Sequence, residues 1–168
     1  MNKLLFAVLA LASVGAANAQ LKVAVINTQK ALLETDDIKK AQLDMEAKFK
    51  PRQDQMVKLQ RDLEDIQTQL NSGKLNELGT QEISAEGQRK QRDLQRLQQD
   101  LQDDLQSSRT EILQRAGNRM QEVVKKLAEE KGLDIVVDSA NTIFFKPSFE
   151  ITGEATAAYN KAYPVAAK

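Results

Sequence analysis

The sequence predicts an α+β protein. A small β body, formed by an N-terminal strand plus a C-terminal hairpin and completed by oligomerisation, carries a long antiparallel helical coiled-coil hairpin inserted between its strands. Three observations lead there. A polar stretch from Asp36 to Lys131 has apolar residues at helical spacing. That stretch is interrupted near its middle, at Asn71-Ser72-Gly73 and again at Leu78-Gly79-Thr80. Short aliphatic runs suited to strands occur only before and after it. A long helix, a turn and a long helix make an arm. The predicted organisation is therefore a signal peptide at 1–19, a β body from 20–35 and 132–168, and an arm at 36–131.

Residues 1–19 read as an export signal. Lys3 is the positive flank and Leu4 to Ala12 is an unbroken apolar run, too short to span a bilayer, which takes roughly 20 residues. Ala17-Asn18-Ala19 fits a small-x-small cleavage site, which places the cut between Ala19 and Gln20. The 168 residues contain no cysteine, so the sequence offers no disulfide, thiol chemistry or cysteine-linked lipid anchor. Lys and Arg total 24, as do Asp and Glu. This balance gives no basic face for nucleic acid.

Lys22 to Asn27 reads as the first strand, and Thr28 as the cap of a short helix running through Glu34. Thr35-Asp36-Asp37 marks a new helix start, with acids where the helix dipole favours them. In the first arm helix, Ile38, Met45, Leu59 and Ile66 lie seven residues or a multiple of seven apart, and Phe49, Met56, Leu63 and Leu70 form a second row offset by four. Rows at these steps are the seam of a coiled coil. Pro51 removes one helical hydrogen bond, but the register continues through it, which predicts a kink and not a break. Arg52 interrupts the seam beside it, where packing is expected to be loosest.

The second arm helix is expected from about Thr80 to Gly132, with a different apolar period. Leu94, Leu105, Ala116 and Leu127 are spaced by eleven, and so are Leu101, Ile112 and Val123. An eleven-residue repeat favours a nearly straight or slightly right-handed path, whereas the first helix favours a left-handed one. The two rods are thus expected to pair imperfectly and to bend. Leu133 to Asp138 reads as a strand, Ser139-Ala140-Asn141 as a turn, and Thr142 to Lys146 as the returning strand of a hairpin. A last helix starts at Thr152 and ends before Pro164, with Ala155, Ala158, Tyr159, Ala162 and Tyr163 on one face. Three strands and a small helix are a poor core, which predicts that several chains share one sheet or barrel.

Chemistry is sparse. The sequence has no histidine, so histidine metal sites and triads are absent. Asn71-Ser72-Gly73-Lys74 fails as a phosphate loop, because Thr68 stands where glycine is needed and Leu75 follows the lysine. Asp134 and Asp138, four strand residues apart, are separated by about 13 Å. That exceeds the roughly 5–9.5 Å of paired glycosidase carboxylates, so both read as strand-end residues. No enzyme activity, cofactor or metal is expected. The polar faces are rich in glutamine, from Gln88 through Gln106, and can make many unspecific contacts with polypeptide. Met45, Met56 and Met120 add adaptable apolar surface.

The order of a signal, a Val23-Ala24-Val25-Ile26-Asn27 strand, a long charged hairpin and Leu133 to Phe145 (LDIVVDSANTIFF) resembles the Skp/OmpH periplasmic chaperones over essentially the whole mature chain. This resemblance implies a homotrimer, with strands from three subunits forming a central body and three hairpins projecting around a cavity. It implies a periplasmic holdase that binds unfolded outer-membrane proteins without ATP and prevents their aggregation before insertion. The oligomer body is then built by Val23, Val25, Ile135, Val136, Val137, Ile143 and Phe145, while the hairpin surrounds the client. Strongly basic members of that family contrast with this neutral chain, so lipopolysaccharide-binding residues are not carried over and contact with a membrane surface stays open. A rival reading is an envelope coiled-coil scaffold or adaptor that binds one defined partner.

Overall fold

The computed structural model describes residues 21–165. The predicted cleavage site at Ala19 and Gln20 lies outside them. Strand β1 (Val23–Ile26) leads into the short helix α1 (Thr28–Leu33), and two long helices follow, α2 (Asp36–Asn71) and α3 (Glu77–Lys131). Strand β2 (Ile135–Asp138), two 3-10 turns (Ser139–Asn141 and Pro147–Phe149) and helix α4 (Thr152–Ala162) complete the chain.

Local chemistry accounts for the boundaries. Asn27, not Thr28, caps α1, its side chain accepting from the Lys30 amide at 2.8 Å. Thr35 separates α1 from α2. Its hydroxyl donates to Leu32 O at 2.7 Å and accepts from the Ile38 amide at 3.3 Å, so one side chain closes one helix and opens the next. Gly132 ends α3 at φ +61, a left-handed conformation that glycine adopts without steric cost. Helix α2 runs 36 residues without interruption through Pro51, a rise of about 54 Å at about 1.5 Å per residue.

Two expectations change here. The turn of the arm is confined to Ser72–Asn76, and the predicted second break at Leu78-Gly79-Thr80 is helical. Asn76 explains this: its side chain accepts from the Gly79 amide at 2.8 Å and caps α3 just ahead of that glycine. The returning strand at Thr142 to Lys146 does not form either. Asp138 turns the chain into a 3-10 helix by accepting from the Ala140 amide at 2.8 Å. The free edge of β1 is then taken by Glu150, through a bridge to Val25 and a bond from the Ile151 amide to Val25 O at 2.9 Å. Among the described residues the segment 142–146 pairs with no strand.

The sheet consists of β1 and β2 in parallel, pairing Val23 with Ile135 through Ile26 with Asp138. The core sits where the arm meets this sheet. Ala24 and Ile26 of β1, Ala31 of α1, Ile38 at the start of α2, Ala116, Met120, Val123 and Leu127 of α3, and Ile151, Ala155 and Tyr159 around α4 form one buried cluster. Ile38, Val123 and Leu127, read from the sequence as arm seam, thus belong to the root and not to the free arm. Met120 is among the largest fully buried side chains. Replacing Met120 with Ala is expected to cost about 2–5 kcal/mol of stability, read as a lowered midpoint of urea unfolding.

Candidate functional site

The arm and its root are the parts of this chain built to do work. Ile38, Phe49, Ile66, Leu94, Leu101, Val123 and Leu127 are buried, and Met45, Met56, Leu59, Leu63, Leu70, Leu105 and Ile112 are half-buried. Near the tip, Gly87 lets the rods approach closely: a Cβ there would lie 3.1 Å from Ile66 Cγ2. Toward the middle of the arm the seam opens on one side. A cleft of about 800 Å³ is lined by Met45, Met56, Leu101 and Leu105. Arg52 itself turns to the other rod and pairs with Asp104.

One further ion pair crosses the arm, Asp62 with Lys90, and Lys90 also pairs with Glu86 on its own helix. Lys90 Nζ lies 2.7 Å from Asp62 Oδ2 and 3.5 Å from Glu86. The Lys90 bond holds the Asp62 carboxyl below its usual range, and the same bond raises the Lys90 ammonium. The outward faces are mostly polar, although Leu43, Val57 and Leu78 are exposed among them. Gln88, Gln91, Gln95, Gln98, Gln99, Gln102 and Gln106 are all exposed, a surface of amides and balanced charge with no fixed geometry.

At the root, Asp37 gathers a network that sequence reading missed, having treated it only as a helix-start acid. Its Oδ2 accepts from Arg119 at 2.9 Å and from the Tyr159 hydroxyl at 2.9 Å. Arg119 also lies over the Tyr163 ring, 4.6 Å from its centroid, and Tyr163 donates to Glu122 at 2.8 Å. The signal was present in two i,i+4 pairs, Arg115 with Arg119 and Tyr159 with Tyr163. Nothing in a lone sequence matched one pair to the other. Burial pushes the Tyr159 hydroxyl up to about 12, with the Asp37 carboxylate adding to the effect.

Asp134 and Asp138 have structural partners. Asp134 Oδ2 accepts from the Lys22 amide at 2.7 Å. Asp138 is held below its usual range by bonds from the Thr28 side chain and the Ala140 amide. Among the described residues no group of three or more His, Cys, Asp or Glu side chains is placed to hold a metal ion, and no helix is long and apolar enough to cross a membrane.

The residues assigned to an oligomer body divide into two sets. Val25 is buried and Val23, Val136, Val137 and Phe145 are half-buried, whereas Ile135 is 44% and Ile143 107% exposed. Phe144 (80%) and Phe149 (42%) extend the exposed set. A second apolar surface, a groove of about 500 Å³, runs along the root between Leu32, Leu33, Ile38, Met45, Ile112 and Leu113.

Comparison with known proteins gives one consistent result. The family model for OmpH, outer membrane protein (OmpH-like), matches residues 22–159. The chain is similar to a Skp-like protein of Pseudomonas aeruginosa PAO1, 28% identical over 136 residues, 80% of this chain and 81% of that protein. It is also similar to a crystal structure of a candidate OmpH-like outer membrane chaperone from Caulobacter crescentus CB15. The TM-score is 0.76 at 14% identity, covering 89% of this chain and 90% of the other, a likeness of fold.

The Tyr159 network makes a pH prediction. A hydroxyl whose folded pKa is raised contributes stability fully below its unfolded pKa near 10, and that contribution is lost as pH rises through about 12. With only two tyrosines in the chain, Tyr163→Phe leaves Tyr159 as the sole reporter. Its tyrosinate absorbance is expected to rise near pH 12 in the folded protein and near pH 10 in urea. A single midpoint near 10 under both conditions contradicts the network.

Proposed function

The chain belongs to the OmpH-like outer membrane protein family, and on that premise we propose that it is an ATP-independent periplasmic holdase for unfolded outer-membrane proteins. The observation that carries this reading is the arm: two rods joined along one narrow seam, with mostly polar outer faces, rooted in a body too small to be more than a base. An agent that binds only unfolded chains draws them away from aggregation by mass action, and needs no nucleotide to do so. Polar, mixed-charge walls make many weak contacts with extended polypeptide. Clients of different sequence are then held and still released. Pre-ordered rods lower the entropic cost of that contact.

A single arm encloses nothing, so the holdase acts as a homotrimer. Two features support self-association at the body. Among the described residues the outer edge of β2 has no strand beside it, and Ile143 and Phe144, on the segment after it, are among the most exposed apolar side chains. An unpaired strand edge next to exposed apolar residues is a template for another chain. The segment 142–146, read from the sequence as a strand, takes its partner from a neighbouring subunit. The mature chain starts at Gln20 and works in the periplasm.

Two experiments test this. Dilution of an unfolded outer-membrane protein into buffer is expected to scatter light, and the trimer at stoichiometric concentration is expected to suppress it without ATP. Undiminished scattering at excess trimer overturns the holdase reading, and retention of one folded partner with unfolded porins ignored favours a scaffold. Replacing Ile143 and Phe144 together with Ser is expected to reduce the native mass from three chains to one while helicity is kept. A trimeric mass for that variant overturns the interface.

A further inference from the structure

Helix α4 bonds to α1, α2 and α3 where they meet at the root of the arm. Thr152 Oγ1 accepts from the Asn27 amide at 2.9 Å, between β1 and α1. Thr156 donates to Ala31 O of α1 at 3.1 Å. Asn160 Oδ1 accepts from the Asp36 amide, the first of α2, at 3.0 Å. Tyr159, fully buried, donates to Asp37 of α2, whose carboxylate also holds Arg119 of α3. Tyr163 reaches Glu122 of α3. These bonds join the two rods to each other and to the body at one level. Beyond that level, among the described residues, the arm is held by its own seam and by ion pairs between exposed or half-exposed side chains.

We propose that the Asp37–Arg119–Tyr159 cluster is a latch through which α4 sets the direction in which the arm leaves the body. Asp37, Arg119 and Tyr159 are positioning residues: they touch no client and act by orienting the rods that do. Leverage makes the position effective. A rotation of about 10° at the root displaces the end of a rod about 54 Å long by about 9 Å. Small rearrangements of a few bonds at a joint are how packed proteins produce large displacements. The burial that raises the Tyr159 hydroxyl keeps it a donor throughout the physiological range. The direction of one arm follows from this geometry alone. Its effect on the width of an enclosed space rests on the trimeric holdase reading.

The absence of cysteine from the sequence makes the test direct. Spin labels are placed at Lys74→Cys on the arm turn and at Lys30→Cys or Lys146→Cys on the body, all exposed positions. Labelled chain is diluted into excess unlabelled chain, so that each assembly reports one arm. With the latch intact, each pair of labels gives one narrow distance distribution. Tyr159→Phe, which keeps the ring and removes the donor, is expected to broaden both distributions and shift their centres while far-UV helicity is unchanged. Asp37→Asn does the same by removing the charge that holds Arg119, and it decides the matter if the tyrosine variant does not fold. Distributions as narrow and as centred as the parent's in the folded variants overturn the proposal. No client is present in these measurements, so their failure leaves the holdase reading untouched, and failure of the aggregation assay leaves them untouched.

Discussion

The carboxylate of Asp37 accepts hydrogen bonds from Arg119 and from Tyr159 at 2.9 Å each, and so ties the first turn of α2 to the last third of α3 and to α4. A two-helix hairpin buries one seam and leaves the rest of each rod in water, so it has no internal means of fixing its own angle to a body. That angle has to be fixed where the rods enter the core. Charge makes the joint specific. Side-chain exposure at Asp37 is 19%, low enough that an unpaired carboxylate is costly, and two donors satisfy one oxygen while Arg115 lies 3.9 Å from the other. The aromatic pair on α4 serves the same end. The Tyr159 and Tyr163 rings are tilted with centroids 5.2 Å apart, and one hydroxyl reaches α2 while the other reaches α3.

Along the arm the division of labour is different. Burying Phe49 or Leu101 is worth about 1.5–3 kcal/mol each, while an exposed ion pair such as Arg52–Asp104 is worth about 0–1 kcal/mol. The seam therefore supplies the stability. It does not by itself select a register, because sliding one rod by a whole turn still brings apolar rows together. Asp37 with Arg119, Arg52 with Asp104 and Asp62 with Lys90 are all satisfied only in the observed alignment. Small energies decide between alternatives that the larger one leaves nearly equal.

Much of this fold was legible in the sequence because it depends on short-range rules. The heptad and eleven-residue rows marked the inward faces of both rods, Gly132 ended α3, and Thr35 opened α2. Errors arose where a residue's role depends on something distant. Gly79 resembled a break until Asn76 was seen to cap the helix ahead of it. Thr142 to Lys146 has the composition of a strand, but Asp138 turns the chain into a 3-10 helix ahead of it and Glu150 occupies the free edge of β1. Val123 and Leu127 continue the arm's period and yet pack against the body, since periodicity identifies a buried face without naming what covers it. Asp37, Arg119 and Tyr159 are far apart in the chain, and only the fold brings them into contact.

The topology also raises a question of order in folding. Strands β1 and β2 are neighbours in the sheet, but the whole arm lies between them, so their pairing is a highly non-local contact. Closing so long a flexible loop directly is slow, because the entropy is lost before any pairing rewards it. The arm removes that difficulty. Its turn at Ser72–Asn76 is local, and pairing of the rods away from the turn proceeds by successive short-range steps. When the seam reaches Ile38 and Val123, the two ends of the insertion lie side by side, and the strands are delivered in register with little further loss of freedom. Asp37 and Arg119 lie at the end of that sequence of steps. Their bonds, with the one from Tyr159, bring α4 onto both rods at that level.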